Sequence, residues 1–160
     1  MNASVAHGSC LCGAVRFQAK LPTKWVAHCH CNYCRRAHGA PFVTWAGFPT
    51  EQFSLEPEAS APQWYASSPG ARRAFFGSCG SPMFFESERW PGEVHIARAL
   101  FKDALDKEPS AHVFYESHVS WLQINDDLPK KVSQSSQAKQ AKQVSGAAAA
   151  GSKHSRSSAI

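Results

Sequence analysis

Three cysteines fall within one short stretch, His28-Cys29-His30-Cys31-Asn32-Tyr33-Cys34. A metal ion is the physical reason to gather thiols so densely. In a Cys-x-Cys pair on extended backbone, both side chains point to one face, because side chains alternate with period two. A Cys-x-x-Cys turn then returns a third sulfur to the same point. Three thiolates can surround zinc at about 2.3 Å each. Zinc takes four ligands, and no fourth cysteine lies close by in sequence. Three protein ligands with one open position is the pattern of a catalytic zinc, whereas structural sites are usually closed. Two other readings stay open here. One is a disulfide framework among the six cysteines. The other is a closed site completed by His28, His30 or His38. His30 lies between two ligands and should face the opposite way, which makes it a poor ligand.

The remaining cysteines form looser groups. Gly8-Ser9-Cys10-Leu11-Cys12-Gly13 is a second Cys-x-Cys pair, and Cys79-Gly80 stands far along the chain. Glycine flanks permit the tight backbone that wraps a metal. Arg35 and Arg36 directly follow Cys34 and could offset the charge of a zinc–thiolate group, or form ordinary solvated surface.

These side chains need rigid strands to hold them. Val15, Phe17 and Ala19 alternate with Arg16, Gln18 and Lys20, which predicts a half-buried strand. Leu21-Pro22-Thr23 reads as a turn. Lys24 to Cys31 reads as a strand with Trp25, Ala27, Cys29 and Cys31 on one parity, so the first thiols extend an apolar face. Gly39-Ala40-Pro41 turns the chain into an aromatic and β-branched strand over 42–48. Short strands are expected near Phe53–Leu55, Trp64–Tyr65, Pro82–Glu86 and Glu93–Ala99. One helical turn is expected over 104–108, and closing strands over 112–115 and 120–124. Residues 1–7 read as a loose start. Many short strands and frequent turns imply an all-β antiparallel fold.

At 160 residues the chain has room for one domain and a modest core. No run of eighteen apolar residues exists, so no membrane span is expected. The N-terminus lacks a basic n-region and an apolar h-region, which argues against a signal peptide. A reducing cytoplasm is therefore expected, where clustered cysteines favour metal over disulfides. The net charge is +5, but Lys130, Lys131, Lys139, Lys142, Lys153 and Arg156 all lie beyond residue 129, with no acid among them. The preceding residues carry 11 basic and 12 acidic side chains. A near-neutral domain argues against a nucleic-acid-binding face. The stretch 130–160 is Ser, Gln, Ala and Lys without aromatics, a composition expected to be disordered.

Taken in order, Gly8-x-Cys10-x-Cys12-Gly13, then Cys29-His30-Cys31-Asn32-Tyr33-Cys34-Arg35, Gly39-Ala40, Cys79-Gly80 and the ending Trp121 to Pro129 resemble the glutathione-dependent formaldehyde-activating enzyme family. The resemblance covers about 7–129. It implies an all-β antiparallel β-tent, similar to Mss4, with two zinc sites. Cys29, Cys31 and Cys34 would hold the catalytic zinc. Cys10, Cys12 and Cys79 would hold a structural zinc, whose expected fourth ligand position is occupied by Phe76. The implied activity is a carbon–sulfur lyase acting on the adduct of formaldehyde and glutathione, with a small thiol as partner. Centromere protein V resembles the same group, so the alternative is a non-enzymatic zinc-stabilised binding module.

Overall fold

The computed structural model describes residues 4–133. Ten strands build two sheets. β1 (Val5–Ser9), β2 (Arg16–Lys20) and β5 (Phe53–Leu55) form a three-stranded antiparallel sheet in the order β1-β2-β5. β3 (Trp25–Cys29), β4 (Val43–Pro49), β6 (Gln63–Ser68), β7 (Ala71–Phe75), β8 (Pro82–Ser87), β9 (Glu93–Ala97) and β10 (His112–Val113) form the second sheet. Its order is β10-β3-β4-β9-β8-β7-β6. All pairings are antiparallel except β10 with β3, which run parallel. The chain is thus mostly β, as expected, with one parallel edge. Among the described residues no helix is long and apolar enough to cross a membrane.

The main core lies between the sheets. Phe17 of the small sheet meets Phe84 and Phe101 edge-on, with ring centroids 5.3 and 5.2 Å apart. Val15, Val26, Phe48, Met83, Val94 and Ile96 complete it, each essentially fully buried. Alternation assigns the opposite parity of β3, β4 and β9 to the other face. There Cys29, Cys34, Val43, Trp45 and Ala97 form a second buried cluster. The central strands are therefore covered on both faces, so His95 and Ala97 are buried as well as Val94 and Ile96. The candidate site is built into the second cluster.

Four local expectations are corrected. Residues 5–9 are a strand, not a loose start: Ala6 is fully buried and Val5 pairs with Lys20. The turn after Cys31 is the start of α1 (Asn32–His38). Cys31 is its N-cap and its Sγ accepts the Cys34 N–H at 3.3 Å. Gly39 ends α1 with φ of 58°, a left-handed cap that favours glycine. No helical turn forms over 104–108. Its carboxylates are captured elsewhere: Asp106 accepts the backbone and hydroxyl of Thr23, and Glu108 binds Arg98. Residues 120–124 are not a strand, and Trp121 is exposed. The edge beside β10 is instead extended by the chain near residue 130. Lys131 N–H donates to the His112 carbonyl at 2.7 Å, and its own carbonyl accepts Tyr115 N–H at 3.0 Å. From residue 134 onward the expected basic tail lies outside the described residues.

Candidate metal centres

β3 delivers Cys29 at its end, and α1 delivers Cys31 and Cys34 from its N-cap and first turn. Their three sulfurs lie within 4.8 Å of one another. All six cysteines are free, so the disulfide reading is not supported. No imidazole joins this sulfur group among the described residues. His28 Nδ1 lies 2.8 Å from Thr44 Oγ1. His30 faces away from the thiols, as its parity requires, and its Nε2 lies 2.8 Å from His112 Nδ1. His112 Nε2 is in turn held by Asp126 at 2.9 Å. His38 lies edge-on to Trp45 with ring centroids 5.2 Å apart.

The side-chain donors that reach these thiols from outside the triad are Trp45 and Arg73. Trp45 Nε1 donates to Cys34 Sγ at 3.4 Å, and Arg73 Nη2 donates to the same sulfur at 3.5 Å. Hydrogen bonds from Cys29 and Cys31, together with the Arg73 charge, hold the Cys34 thiol far below its ordinary value. Hydrogen bonding to Cys31 and Cys34 pushes Cys29 far above its own. Three crowded thiols cannot all ionise unless a cation shares the charge. That conflict, and an all-sulfur donor set, fit zinc.

Arg35 and Arg36 do not supply the compensating charge. Arg35 Nη1 instead donates to the Ser117 carbonyl at 2.7 Å, which anchors α1 to the later chain. The arginine that reaches the thiols is Arg73, 39 residues from Cys34. A signal for it existed in the pair Arg72-Arg73. Neighbours on a strand face opposite sides, so one of the two must turn inward. Arg72 faces out, pairs with Glu86 and stacks on Trp64.

Two cavities reach neighbours of this centre, Arg73 in one and Val43 and Ala97 in the other, and share His38. One, of about 270 Å³, is walled by His38, Tyr65, Arg73, Gly80 and Pro82 among others. The other, of about 420 Å³, is walled by His28, His38, Phe42, Thr44, Ala97 and Arg98 among others. Burial drives His38 down to about 4, so its imidazole is neutral at pH 7.

The second triad also assembles. Cys10, Cys12 and Cys79 place their sulfurs within 4.8 Å of one another, so residues far apart in the chain come together. Cys10 Sγ accepts Val15 N–H at 3.3 Å. Residues 76–81 form a tight knuckle. Phe76 N–H donates to the Ser81 carbonyl, and Gly80, at φ of 74°, donates to the Phe76 carbonyl at 2.7 Å. The Phe76 side chain packs on the main core. His7, a conceivable extra ligand three residues before Cys10, is engaged elsewhere, with Nδ1 3.1 Å from a Glu56 carboxylate oxygen. The polar neighbour that the sequence did not announce is Ser81. Its hydroxyl lies 3.2 Å from Cys79 Sγ and accepts Leu11 N–H at 2.9 Å. That hydroxyl helps pull the Cys79 thiol down to about 6.

Two triads of thiols, each placed so that it could hold a metal ion, stand on a two-sheet β scaffold. The chain matches the sequence model of the family described as glutathione-dependent formaldehyde-activating enzyme over residues 5–117, and it belongs to that family. It is 28% identical over 132 residues to a Halomonas elongata protein provisionally named a glutathione-dependent formaldehyde-activating enzyme. That alignment covers 74% of this chain and 80% of the relative. It is 30% identical over 96 residues to an uncharacterized lyase of Schizosaccharomyces pombe, covering 60% of this chain and 68% of the relative. A crystal structure of a Rhodobacter sphaeroides protein shares the fold, with a TM-score of 0.52 and 22% identity. That match covers 62% of this chain and 91% of the other.

Proposed function

We propose that this chain is a zinc-dependent carbon–sulfur lyase acting reversibly on a thiol–aldehyde adduct such as S-hydroxymethylglutathione. The single observation that carries the reading is the Cys29, Cys31 and Cys34 triad, polarised by two buried donors and set beside a cavity. Those three cysteines would hold the catalytic zinc. Cys10, Cys12 and Cys79 would hold a second, three-thiolate zinc. The functional unit is the folded domain from Val5 of β1 to Lys131 on the β10 edge, and the basic stretch beyond it is not needed for chemistry. The names of the relatives support glutathione as the thiol and formaldehyde as the aldehyde.

Bound zinc would supply a soft Lewis-acid position that keeps an incoming sulfur as thiolate. The protein's part is to set the charge and wetness of that position. Trp45 and Arg73 stabilise the Cys34 thiolate, so less negative charge is left to repel the incoming sulfur. Trp45, Val43, Phe85 and Ala97 keep the thiols' inner side dry. In the forward direction a C–S bond forms as sulfur attacks the aldehyde carbon, and the C=O π pair moves to oxygen. The proton lost by the thiol returns to that oxygen through solvent.

The test is the rate of hemithioacetal exchange between glutathione and formaldehyde, followed by exchange NMR with purified zinc-loaded protein. Acceleration that disappears in Cys34→Ser supports the reading. No acceleration with any small thiol, while metal stays bound, would leave the non-enzymatic binding module.

A further inference from the structure

Arg73 is a buried arginine without a carboxylate partner among the described residues. It is only 7% exposed. Its guanidinium carbon lies over the Phe85 ring, 4.6 Å from the centroid, and Nη2 donates to Cys34 Sγ at 3.5 Å. The neighbouring Nη1 is buried and has no hydrogen-bond partner among the described residues. An unmet N–H on a buried cation is costly, so a position that keeps one is normally waiting for an acceptor. Arg73 also walls the cavity of about 270 Å³ that it shares with His38 and Tyr65, in which no carboxylate takes part.

We propose that Arg73 Nη1 receives the oxygen of the thiol–aldehyde adduct and stabilises its alkoxide, an inference that rests on the lyase reading above. The fork geometry of the guanidinium argues for this oxygen over a carboxylate of the thiol. Its two terminal nitrogens sit side by side, so a group that holds a ligand sulfur with one offers the other to atoms close to the reacting sulfur. In the adduct the oxygen is two bonds from sulfur. The carboxylates of glutathione are many bonds away and would reach the cavity mouth instead. In synthesis the C–S bond forms, the C=O π pair becomes an alkoxide, and Nη1–H donates to it until a solvent proton arrives. In cleavage the hydroxyl proton leaves to solvent, the alkoxide collapses to C=O, and the C–S pair returns to sulfur as thiolate. No oxidant or reductant is required. A buried, preoriented donor of this kind acts on charge that appears only in the transition state.

The experiment compares zinc-loaded wild type with Arg73→Lys, Arg73→Ala and the outward-facing control Arg72→Lys. Lysine keeps the charge but cannot serve sulfur and oxygen with a rigid fork. Turnover of the glutathione–formaldehyde adduct is measured beside zinc content and beside glutathione affinity, read from the thiolate charge-transfer band of the cobalt-substituted forms. Arg73→Lys should lose about 100- to 1,000-fold in kcat, the size of one oxyanion donor, with zinc content and glutathione affinity unchanged. Guanidinium in solution should restore part of the activity of Arg73→Ala, and Arg72→Lys should match wild type. An unchanged kcat in Arg73→Lys overturns the inference while leaving the lyase reading intact. So does a loss that falls wholly on glutathione affinity, which would make Arg73 a carboxylate anchor. Loss of zinc in both variants also overturns it and makes the role structural. A wild type that does not turn over the adduct refutes the lyase reading itself, and this inference with it.

Discussion

Replacing Phe76 with cysteine should change stability in opposite directions with and without metal. Phe76 opens the knuckle that carries Cys79, and it packs, half-buried, against the main core. Fully burying a phenylalanine is worth about 1.5–3 kcal/mol, so this half-buried ring contributes about 0.75–1.5 kcal/mol. Without metal, Phe76→Cys should cost about that much. A complete structural zinc site is worth an apparent 10–16 kcal/mol or so, which is also folding energy, so a fourth thiolate adds roughly 2.5–4 kcal/mol. With zinc, the variant should therefore exceed wild type by about 1–3 kcal/mol. Cysteine also fits the knuckle, whose backbone bonds from Phe76 to Gly80 and Ser81 do not involve the side chain. The assay is thermal melting in excess zinc and in excess chelator, with zinc per chain measured after dialysis. Wild type should retain nearer one zinc than two under mild chelation, and Phe76→Cys should retain two. Two zincs in wild type, as chelator-resistant as those of the variant, would refute the argument. So would a variant less stable than wild type in both conditions.

Three further outcomes follow from the geometry. Trp45→Phe keeps the apolar bulk but removes the Nε1 donor to Cys34 Sγ, so the metal-loaded form should lose about 1.5–3 kcal/mol in denaturant melts, and the metal-free form less. Cutting the chain after Ser133 should leave the melting temperature unchanged. Cutting after Pro129 removes two backbone hydrogen bonds at the β10 edge and should cost about 1–3 kcal/mol. His38 has a folded-state pKa of about 4, below its unfolded 6.5, chiefly through burial. The unfolded chain then binds more protons between these values, so its contribution is present above pH 6.5 and is lost as pH falls toward 4. His38→Asn should flatten the fall in melting temperature across that window, measured on metal-loaded protein.

Residue types and spacing alone fix the Cys29, Cys31 and Cys34 thiol set and the alternation of the strands. Cys29, Cys31 and Cys34 lie close enough in the chain that local backbone geometry brings their sulfurs together, and α1 only sharpened the expected turn. The faces of β2, β3, β4 and β9 were legible because a period of two survives in the residue types. The departure at Phe76 was likewise visible as a residue type at a position. Tertiary structure decided everything that depends on strand order. β7 lies two strands from β9, and only the register Arg73↔Phe85 and Phe85↔His95 carries Arg73 across the sheet to Cys34. The same assembly joins Cys79 to Cys10 and Cys12, and sets His112 against His30 by pairing β10 parallel to β3. Arg35 and Arg36 looked suitable because they were near in sequence, but a helix turns successive side chains about its axis and sent Arg35 to Ser117. Spacing along a chain fixes what can meet within a few residues. Which distant side chains meet is fixed by sheet register, where a one-residue slip would turn Arg73 outward and Arg72 in.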